Sequence, residues 1–220
     1  MTDSRRHTWR TIGADATTEC ARARYYWHAR PAITMAAKRV VRSIAIRRAG
    51  GTRFHKSGER IMTQRINYFQ QSPEFTKKLV ELDGLFQKTT IEVPVRELVE
   101  IRASQLNGCA FCVDMHVKAA RIHGERELRM HHVAIWREST LFSPRERAAL
   151  AWTEALTHLQ SDGVPDELYE RVRTHYSEKE LSDLTFLVGA INCWNRLNVA
   201  FRIVPGSFDK TFGLDKANLE

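Results

Sequence analysis

The chain from residue 62 onward repeats apolar side chains every three or four positions, which is the period of an α-helix with one buried face. Helix-starting signals precede these stretches: prolines suited to a first helical turn at Pro73 and Pro94, and capping-box sequences beginning at Ser143 and Ser177. The predicted apolar faces are Phe75, Leu79, Leu82 and Phe86; Leu98, Ile101 and Leu106; Ala148, Trp152, Ala155 and Leu159; and Leu181, Leu184, Val188 and Ile191. Because strand-like alternation is nearly absent, the pattern predicts an all-α domain.

Two glycine-containing turns separate the helices in the middle of the chain. Asn107-Gly108 is expected to end the helix that begins at Pro94, and Gly124 is expected to end a helix that begins near Cys109. The turn at Asn107-Gly108 is tight, so the second helix should fold back against the first. A further short helix is expected over residues 165–173.

The first quarter of the chain differs from the rest in charge. Residues 1–61 carry 14 Lys and Arg against 4 Asp and Glu, whereas the remaining residues carry 20 against 22. The net charge of +8 therefore gives no reason to expect a nucleic acid partner for the folded part. We expect residues 1–61 to be a basic, disordered extension and residues 62–220 to form the domain. An Arg-rich targeting or nucleic-acid-binding arm is the alternative.

The extension also raises a question about the start of translation. Gly58-Glu59 is encoded by purine-rich codons that resemble a bacterial ribosome-binding site, a short distance before Met62. We therefore expect Met62 to be the true first residue. Mass spectrometry of the native N-terminus would test this expectation.

Cysteine usage and hydropathy limit the class of protein. The chain has four cysteines, which are too few for a disulfide scaffold. A reducing, cytoplasmic compartment is therefore expected. Two of the cysteines, Cys109 and Cys112, lie close together in the sequence, and a catalytic or metal-binding role is expected for this pair. No apolar run approaches the ~20 residues that a membrane span requires, so a membrane partner is not expected.

The cysteine pair lies in the run Cys109-Ala-Phe-Cys112-Val-Asp-Met-His116, which indicates redox chemistry. His116 follows Cys112 by four residues, which places thiol and imidazole one turn apart on the same face of a helix. An ordinary thiol is only about 3% ionised at pH 7. The helix start and a proton-accepting His116 should both lower the pKa of Cys112, and Cys109 is close enough to resolve a sulfenic acid on it.

Two acidic residues on the preceding helix could complete the arrangement. Glu97 and Glu100 precede the Asn107-Gly108 turn that folds this helix against the cysteine helix. Either carboxylate could orient His116 or relay a proton. The alternative for each is a solvated surface position.

The spacing of these residues resembles the signature of the alkylhydroperoxidase D-like (AhpD-like) family, within the carboxymuconolactone decarboxylase superfamily. The resemblance covers about residues 62–205. It includes Glu97, which eleven intervening residues separate from Cys109, then Cys112 and His116, together with the runs 100–108 and 193–198. It implies an all-α fold that assembles into homo-oligomers, trimers or hexamers. It also implies reduction of hydroperoxides, with an external dithiol as reductant and no cofactor.

The resemblance assigns a role to each site residue. Cys112 would be the peroxidatic thiol, Cys109 the resolving thiol, and Glu97 and His116 the proton relay. The chain departs from the best-studied type of AhpD at Phe111, where that type has a histidine, so the relay is shorter by one member. The CxxC pair argues against the decarboxylase branch, which usually lacks it.

Two other functions remain open. The pair could belong to a CxxC disulfide reductase or redox sensor without efficient peroxidase turnover. A zinc site formed by Cys109, Cys112, His116 and Glu97 is the second alternative, because these ligand types suit zinc. Structural zinc usually needs a second pair, however, and the sequence has no second CxxC or HxxxH, so no metal is expected.

Overall fold

The computed structural model describes residues 63–219, which are all-α as predicted. Their helices are α1 Tyr68–Gln71, α2 Pro73–Phe86, α3 Val93–Leu106, α4 Ala110–Ile122, α5 Glu127–His132, α6 Pro144–Thr157, α7 Asp166–Arg173, α8 Glu178–Phe201 and α9 Asp209–Phe212. Short 3₁₀ turns follow α5 and α9 at Val133–Ile135 and Leu214–Ala217. Over this range there is no β-strand. The expected extension at residues 1–61 and the expected start at Met62 lie outside the described residues.

Helix α3 lies at the centre of the domain and contacts α4, α6 and α8. Leu98, Val99 and Ile101 are buried on different sides of it, so the helix has no solvent-facing stripe over this turn. The same enclosure buries Glu97 and Ser104, two polar residues on α3. Because burying a carboxylate is costly unless it is paired, Glu97 must find its partners inside the domain.

Local signals in the sequence set the helix boundaries. The capping boxes at Ser143 and Ser177 form as predicted, with each serine side chain accepting from the backbone N–H three residues on. Gly108 has a φ of +64°, a conformation that favours glycine, and it reverses the chain between α3 and α4. Cys109 then lies at the N-cap of α4.

Two expected core residues are exposed. Phe75 is 78% exposed and Leu159 is 63% exposed. Leu159 lies beyond the end of α6 at Thr157 and so is not part of the helical face predicted for it. The short helices α1, α5 and α9 were not predicted, because each is shorter than two helical periods and shows no apolar repeat.

None of the helices between residues 63 and 219 combines the length and apolar character needed to cross a bilayer.

Candidate active site

The two cysteines of the motif lie side by side at the start of α4. Their Sγ atoms are 2.6 Å apart, and the sulfur of Cys109 also accepts a hydrogen bond from the backbone N–H of Cys112 at 3.4 Å. Cys109 is 1% exposed and Cys112 is fully buried. A disulfide bond between them would need the sulfurs to approach to about 2.0 Å, a small movement.

Helix α8 supplies the polar surroundings of the pair. The side-chain amide of Asn198 donates to the sulfur of Cys112 at 3.2 Å, and its Oδ1 accepts from the hydroxyl of Tyr68 at 2.8 Å. One turn earlier, Asn195 accepts from the side-chain amide of Asn107, in the turn before the cysteines, at 2.9 Å. Side chains of α8 therefore hold both the turn and the second sulfur.

The thiol pKa values run opposite to the expectation from the sequence. A hydrogen bond from the Cys112 thiol, helped by the Cys112 backbone N–H, lowers the pKa of Cys109 in spite of its burial. Donating that hydrogen bond, together with burial, raises the pKa of Cys112. This direction differs from the one predicted for Cys112 from the sequence, because Cys109 lies nearer the end of the helix and its sulfur accepts the free backbone N–H.

An aromatic cluster covers the sulfurs. Phe111, the residue between the cysteines, is buried and packs edge-on against Phe208, with ring centroids 5.8 Å apart. The other rings packed around the pair are those of Tyr68, Phe69, Trp194 and Phe201. The position at which the resemblance expects a histidine is thus used for apolar packing.

His116 pairs with carboxylates of α3. Its Nδ1 lies 3.2 Å from Glu100 Oε2 and 3.6 Å from Glu97 Oε2. Within residues 63–219 the side-chain hydrogen bonds of the Cys112 sulfur go to Cys109 and Asn198, and none joins it to the imidazole. Burial alone would lower the pKa of His116, but the charges of Glu100 and Glu97 outweigh it and hold the pKa well above its usual range.

Glu97 is the most enclosed acid of the site. Its Oε1 lies 2.9 Å from Nδ1 of His123, a residue that the sequence analysis did not single out. Its Oε2 is buried and has no hydrogen-bond partner. Between residues 63 and 219, the His, Cys and carboxylate donor atoms that lie close enough together for one metal ion belong to Glu97, Glu100 and His116, without the cysteines. The four ligands of the alternative zinc site are therefore not brought together.

A pocket of about 250 Å³ opens on this carboxylate–histidine group. Asp83 lines it too, and accepts a hydrogen bond from the indole N–H of Trp194 at 2.9 Å. Burial raises the pKa of Asp83 to about 6, although the Trp194 hydrogen bond opposes the shift. Neither Cys109 nor Cys112 lines this pocket, so the thiols and the acidic pocket are two adjoining compartments on α4.

Sequence reasoning missed Asp83, His123, Tyr68 and the role of Asn198. A signal existed only for Asn198, which falls in the run 193–198 that carries part of the family resemblance. The other three are distant in sequence from the residues that they contact, and nothing in their local pattern marks them.

Comparison with known proteins shows which family the chain resembles. The model of the carboxymuconolactone decarboxylase family matches residues 73–155. The uncharacterized protein YdfG of Bacillus subtilis is 44% identical over 139 residues, which span 63% of this chain and 95% of that protein.

Solved structures agree with this assignment. The protein of unknown function ATU0492 from Agrobacterium tumefaciens has a TM-score of 0.63 and 42% identity, covering 65% of this chain and 98% of its own. The AhpD core of a peroxidase-related protein from Ralstonia eutropha has a TM-score of 0.57, 20% identity and coverage of 63% and 74%, and so shares the fold. The chain belongs to the carboxymuconolactone decarboxylase family and is AhpD-like within it.

Proposed function

We propose that the protein is a thiol-dependent peroxidase that reduces hydroperoxides through Cys109 and Cys112. The observation that carries this proposal is the contact between the two sulfurs at the start of α4, 2.6 Å apart. A pair held this close can form a disulfide without rearrangement of the helix. Membership of an AhpD-like family supports the same chemistry.

The reaction would run in three balanced steps. The thiolate of Cys112 attacks the distal oxygen of a hydroperoxide, the O–O bond breaks, and a sulfenic acid and an alkoxide form. The sulfur of Cys109 then displaces hydroxide from the sulfenic acid to form the disulfide, and the remaining thiol proton of the pair leaves with the hydroxide as water. An external dithiol reduces the resulting disulfide and is itself oxidised to a disulfide.

Which of the two sulfurs carries the proton before the reaction determines how the first step can begin. The pKa directions favour the thiolate on Cys109 and the proton on Cys112. Because the sulfurs are adjacent, that proton can pass to Cys109 as Cys112 attacks, and the two thiols titrate as one unit. Asn198 then donates to the Cys112 thiolate. Glu97 and His116 form the relay that protonates the leaving alkoxide, the role that the family resemblance implies.

A CxxC disulfide reductase is the second candidate. The lowered pKa of Cys109 favours it, because a low-pKa thiolate at a helix start suits attack on a disulfide. In that reaction Cys109 would form the mixed disulfide and Cys112 would release it. A redox sensor would use the same disulfide without turnover.

One experiment separates the candidates. Wild type, Cys109→Ser and Cys112→Ser are each treated with a hydroperoxide, and sulfenic acid and free thiols are counted. The peroxidase predicts sulfenic acid trapped on Cys112 in Cys109→Ser, and no peroxide consumption by Cys112→Ser. Full peroxide consumption by Cys112→Ser would exclude this mechanism. Reaction of Cys109 alone with a small disulfide, without peroxide turnover, would favour the reductase.

We further propose that the protein acts in the cytoplasm as a homo-oligomer, a trimer or hexamer. Exposed apolar side chains on α2 and α8 support association, among them Phe75, Val80, Leu85 and Phe186. Light scattering on the full chain tests this directly, and a monomer at micromolar concentration would contradict it.

A further inference from the structure

Residues 204–219, the segment that follows α8, lie against α4 and border both compartments of the site. The ring of Phe208 packs against Phe111 in the aromatic cluster that covers the sulfurs. A few residues later, Phe212 and Leu214 line the acidic pocket. One continuous segment, which we call the strap, therefore covers the thiols and forms a wall of the neighbouring pocket.

The strap is attached to the domain by side chains rather than by backbone hydrogen bonds. Its beginning is fixed by Ile203, which is 1% exposed. Among residues 63–219, the backbone–backbone hydrogen bonds of the strap all close turns within the strap itself. Its polar contacts with the rest of the domain come from one face of α4, from the side chains of Asp114, Lys118 and Arg121. Such a segment can separate from α4 without breaking any helix.

Two of these contacts hold backbone atoms of the strap. Asp114 Oδ2 accepts a hydrogen bond from the backbone N–H of Gly206 at 3.0 Å, and Arg121 Nε donates to the carbonyl of Ala217 at 3.0 Å. Water can replace either partner once the strap separates from α4. Each contact therefore contributes only modestly to keeping the strap closed.

The third contact, between Lys118 and Asp209, acts as a latch. The Lys118 side chain is 9% exposed, and its Nζ lies 2.6 Å from Asp209 Oδ2 and 2.9 Å from Asp114 Oδ1. If the strap lifts, Asp209 moves into water, while Asp114 stays beside Lys118 on the same helix. Opening therefore leaves no buried charge without a partner, which is the outcome that makes breaking a buried ion pair costly.

The other parts of the aromatic cover are held more firmly. Trp194 and Phe201 belong to α8, which also packs against α3 and α6 in the core. Tyr68 is tied to α8 by its hydrogen bond to Asn198. The strap is thus the part of the cover that can move with least loss of packing.

We propose that the strap opens as one unit and that its opening joins the thiol compartment and the acidic pocket into a single cleft. Both sulfurs are buried and neither lines the pocket, so the closed form separates Cys112 from the pocket that His116 lines. In the open cleft a hydroperoxide can contact both the attacking sulfur and the proton relay. The role of the cleft in admitting substrate rests on the proposed function, whereas the motion of the strap does not.

The first test is the rate at which the cysteine pair reacts with a bulky aromatic disulfide. The full chain carries Cys20→Ser and Cys193→Ser, so that only the pair is measured. We expect Asp209→Ala, which removes the latch, to speed the reaction about tenfold, because a hydrogen bond to a charged group stabilises the closed form by about that factor. Asp215→Ala is the matched control, since it removes the same charge from an exposed position of the strap. Equal rates in the two variants would overturn the proposal.

A reporter thiol on the pocket side tests whether the strap moves as a unit. Leu214→Cys places it at a wall position that is 7% exposed, in a chain whose four native cysteines are replaced by serine. Adding Asp209→Ala should speed its modification by the same factor as that of the native pair. A faster native pair with an unchanged reporter would show that Phe208 moves alone and would contradict the proposal.

Hydrogen exchange provides the same comparison without a reporter, should Leu214→Cys fail to fold. In Asp209→Ala, amides of residues 204–219 should exchange faster together, while those of α4 keep their wild-type rates. Equal acceleration in the strap and in α4 would indicate general destabilisation and would overturn the proposal.

Failure of the strap can be distinguished from failure of the peroxidase, because these measurements use no hydroperoxide. A further measurement connects the two. At low hydroperoxide concentration, Asp209→Ala should speed peroxide consumption by the factor found for thiol modification. Faster thiol modification with unchanged peroxide consumption would contradict the role of the strap in admitting substrate. A wild-type chain that consumes no hydroperoxide would contradict the proposed function alone.

Discussion

Asn198 donates a hydrogen bond from its side-chain amide to the sulfur of Cys112, with Nδ2 and Sγ 3.2 Å apart. The hydroxyl of Tyr68 donates to the opposite side of the same amide, which leaves the NH₂ group to face the sulfur. A residue of α8 is thus fixed in the orientation that stabilises negative charge on Cys112.

We expect Asn198→Leu to slow the reaction of Cys112 with iodoacetamide. A hydrogen bond to a charged group contributes about 1.5–3 kcal/mol, so loss of this donor should reduce the rate at neutral pH about tenfold. The measurement is made in a Cys109→Ser background, where Cys112 is the reactive member of the pair. Val199→Ala, at an exposed position on the same helix, is the control. Equal rates for both variants would show that the amide does not activate the sulfur.

The pH dependence of Cys109 should depend on the donor at position 112. Because Cys112 donates to it, the Cys109 thiol has a lowered pKa, and its thiolate persists to lower pH than that of an ordinary thiol. Cys112→Ser keeps a hydrogen-bond donor at position 112. The thiolate absorbance of Cys109 in this variant should therefore still titrate below the usual thiol range. Cys112→Ala removes the donor, so the titration midpoint of Cys109 should be higher in this variant than in Cys112→Ser. Both are compared in a Cys20→Ser, Cys193→Ser background, and identical midpoints would contradict the assigned cause.

Glu154 should stabilise the fold, and more so at neutral than at acidic pH. It accepts hydrogen bonds from Trp136 at 2.8 Å and Arg102 at 2.7 Å, and also pairs with Arg137. Burial would raise its pKa, but these three partners outweigh it and lower the pKa. The stabilisation is therefore fully present above the unfolded-state pKa of about 4.3 and is lost as the pH falls through the lower folded-state value.

Glu154→Gln should accordingly lower the free energy of unfolding at pH 7 by about 1–3 kcal/mol. Urea unfolding at pH 7 and in acid measures the difference between variant and wild type, which should shrink in acid. Glu178→Gln removes an acid that is 86% exposed and should change little at either pH. A pH-independent deficit in Glu154→Gln would show that its packing, rather than its charge, is responsible.

Removal of the Phe208 ring should make the sulfurs more accessible. Phe208 packs against Phe111, and both cysteines are buried beneath this aromatic cluster. We expect Phe208→Ala to speed modification of the pair by a bulky aromatic disulfide about tenfold or more, since 1.4 kcal/mol of lost packing changes a local opening equilibrium that much. Phe212→Ala, at a 54% exposed neighbour on α9, is the control. No difference between the two variants would exclude Phe208 as part of the cover.

The main helices and the general position of the site could be predicted from the sequence. Prolines, capping boxes and the Asn107-Gly108 turn are local signals, and they correctly predicted that α4 folds back on α3. That reversal brings His116 to Glu97 and Glu100 as expected. Such predictions succeed because each depends on residues within one or two turns of one another.

The order of the thiol pKa values could not be predicted in the same way. It depends on the side-chain orientation of Cys109 and Cys112 and on Asn198, which is 86 residues from Cys112 in sequence. Spacing alone suggested that Cys112 and His116 would interact directly, but the imidazole is directed to the carboxylates of α3, where opposite charge stabilises it. Sequence periodicity predicts which face of a helix is buried, but it does not predict which neighbouring side chain a residue on that face will contact.

Burial of both sulfurs sets an upper limit on how fast any reagent can reach them. At low reagent concentration the observed rate should rise in proportion to concentration, because opening and closing of the cover are then fast by comparison. At high concentration it should level off at the rate of opening, and that plateau should be the same for chemically different reagents. Saturation of this kind would look like substrate binding in steady-state kinetics while reporting only the motion of the aromatic cover.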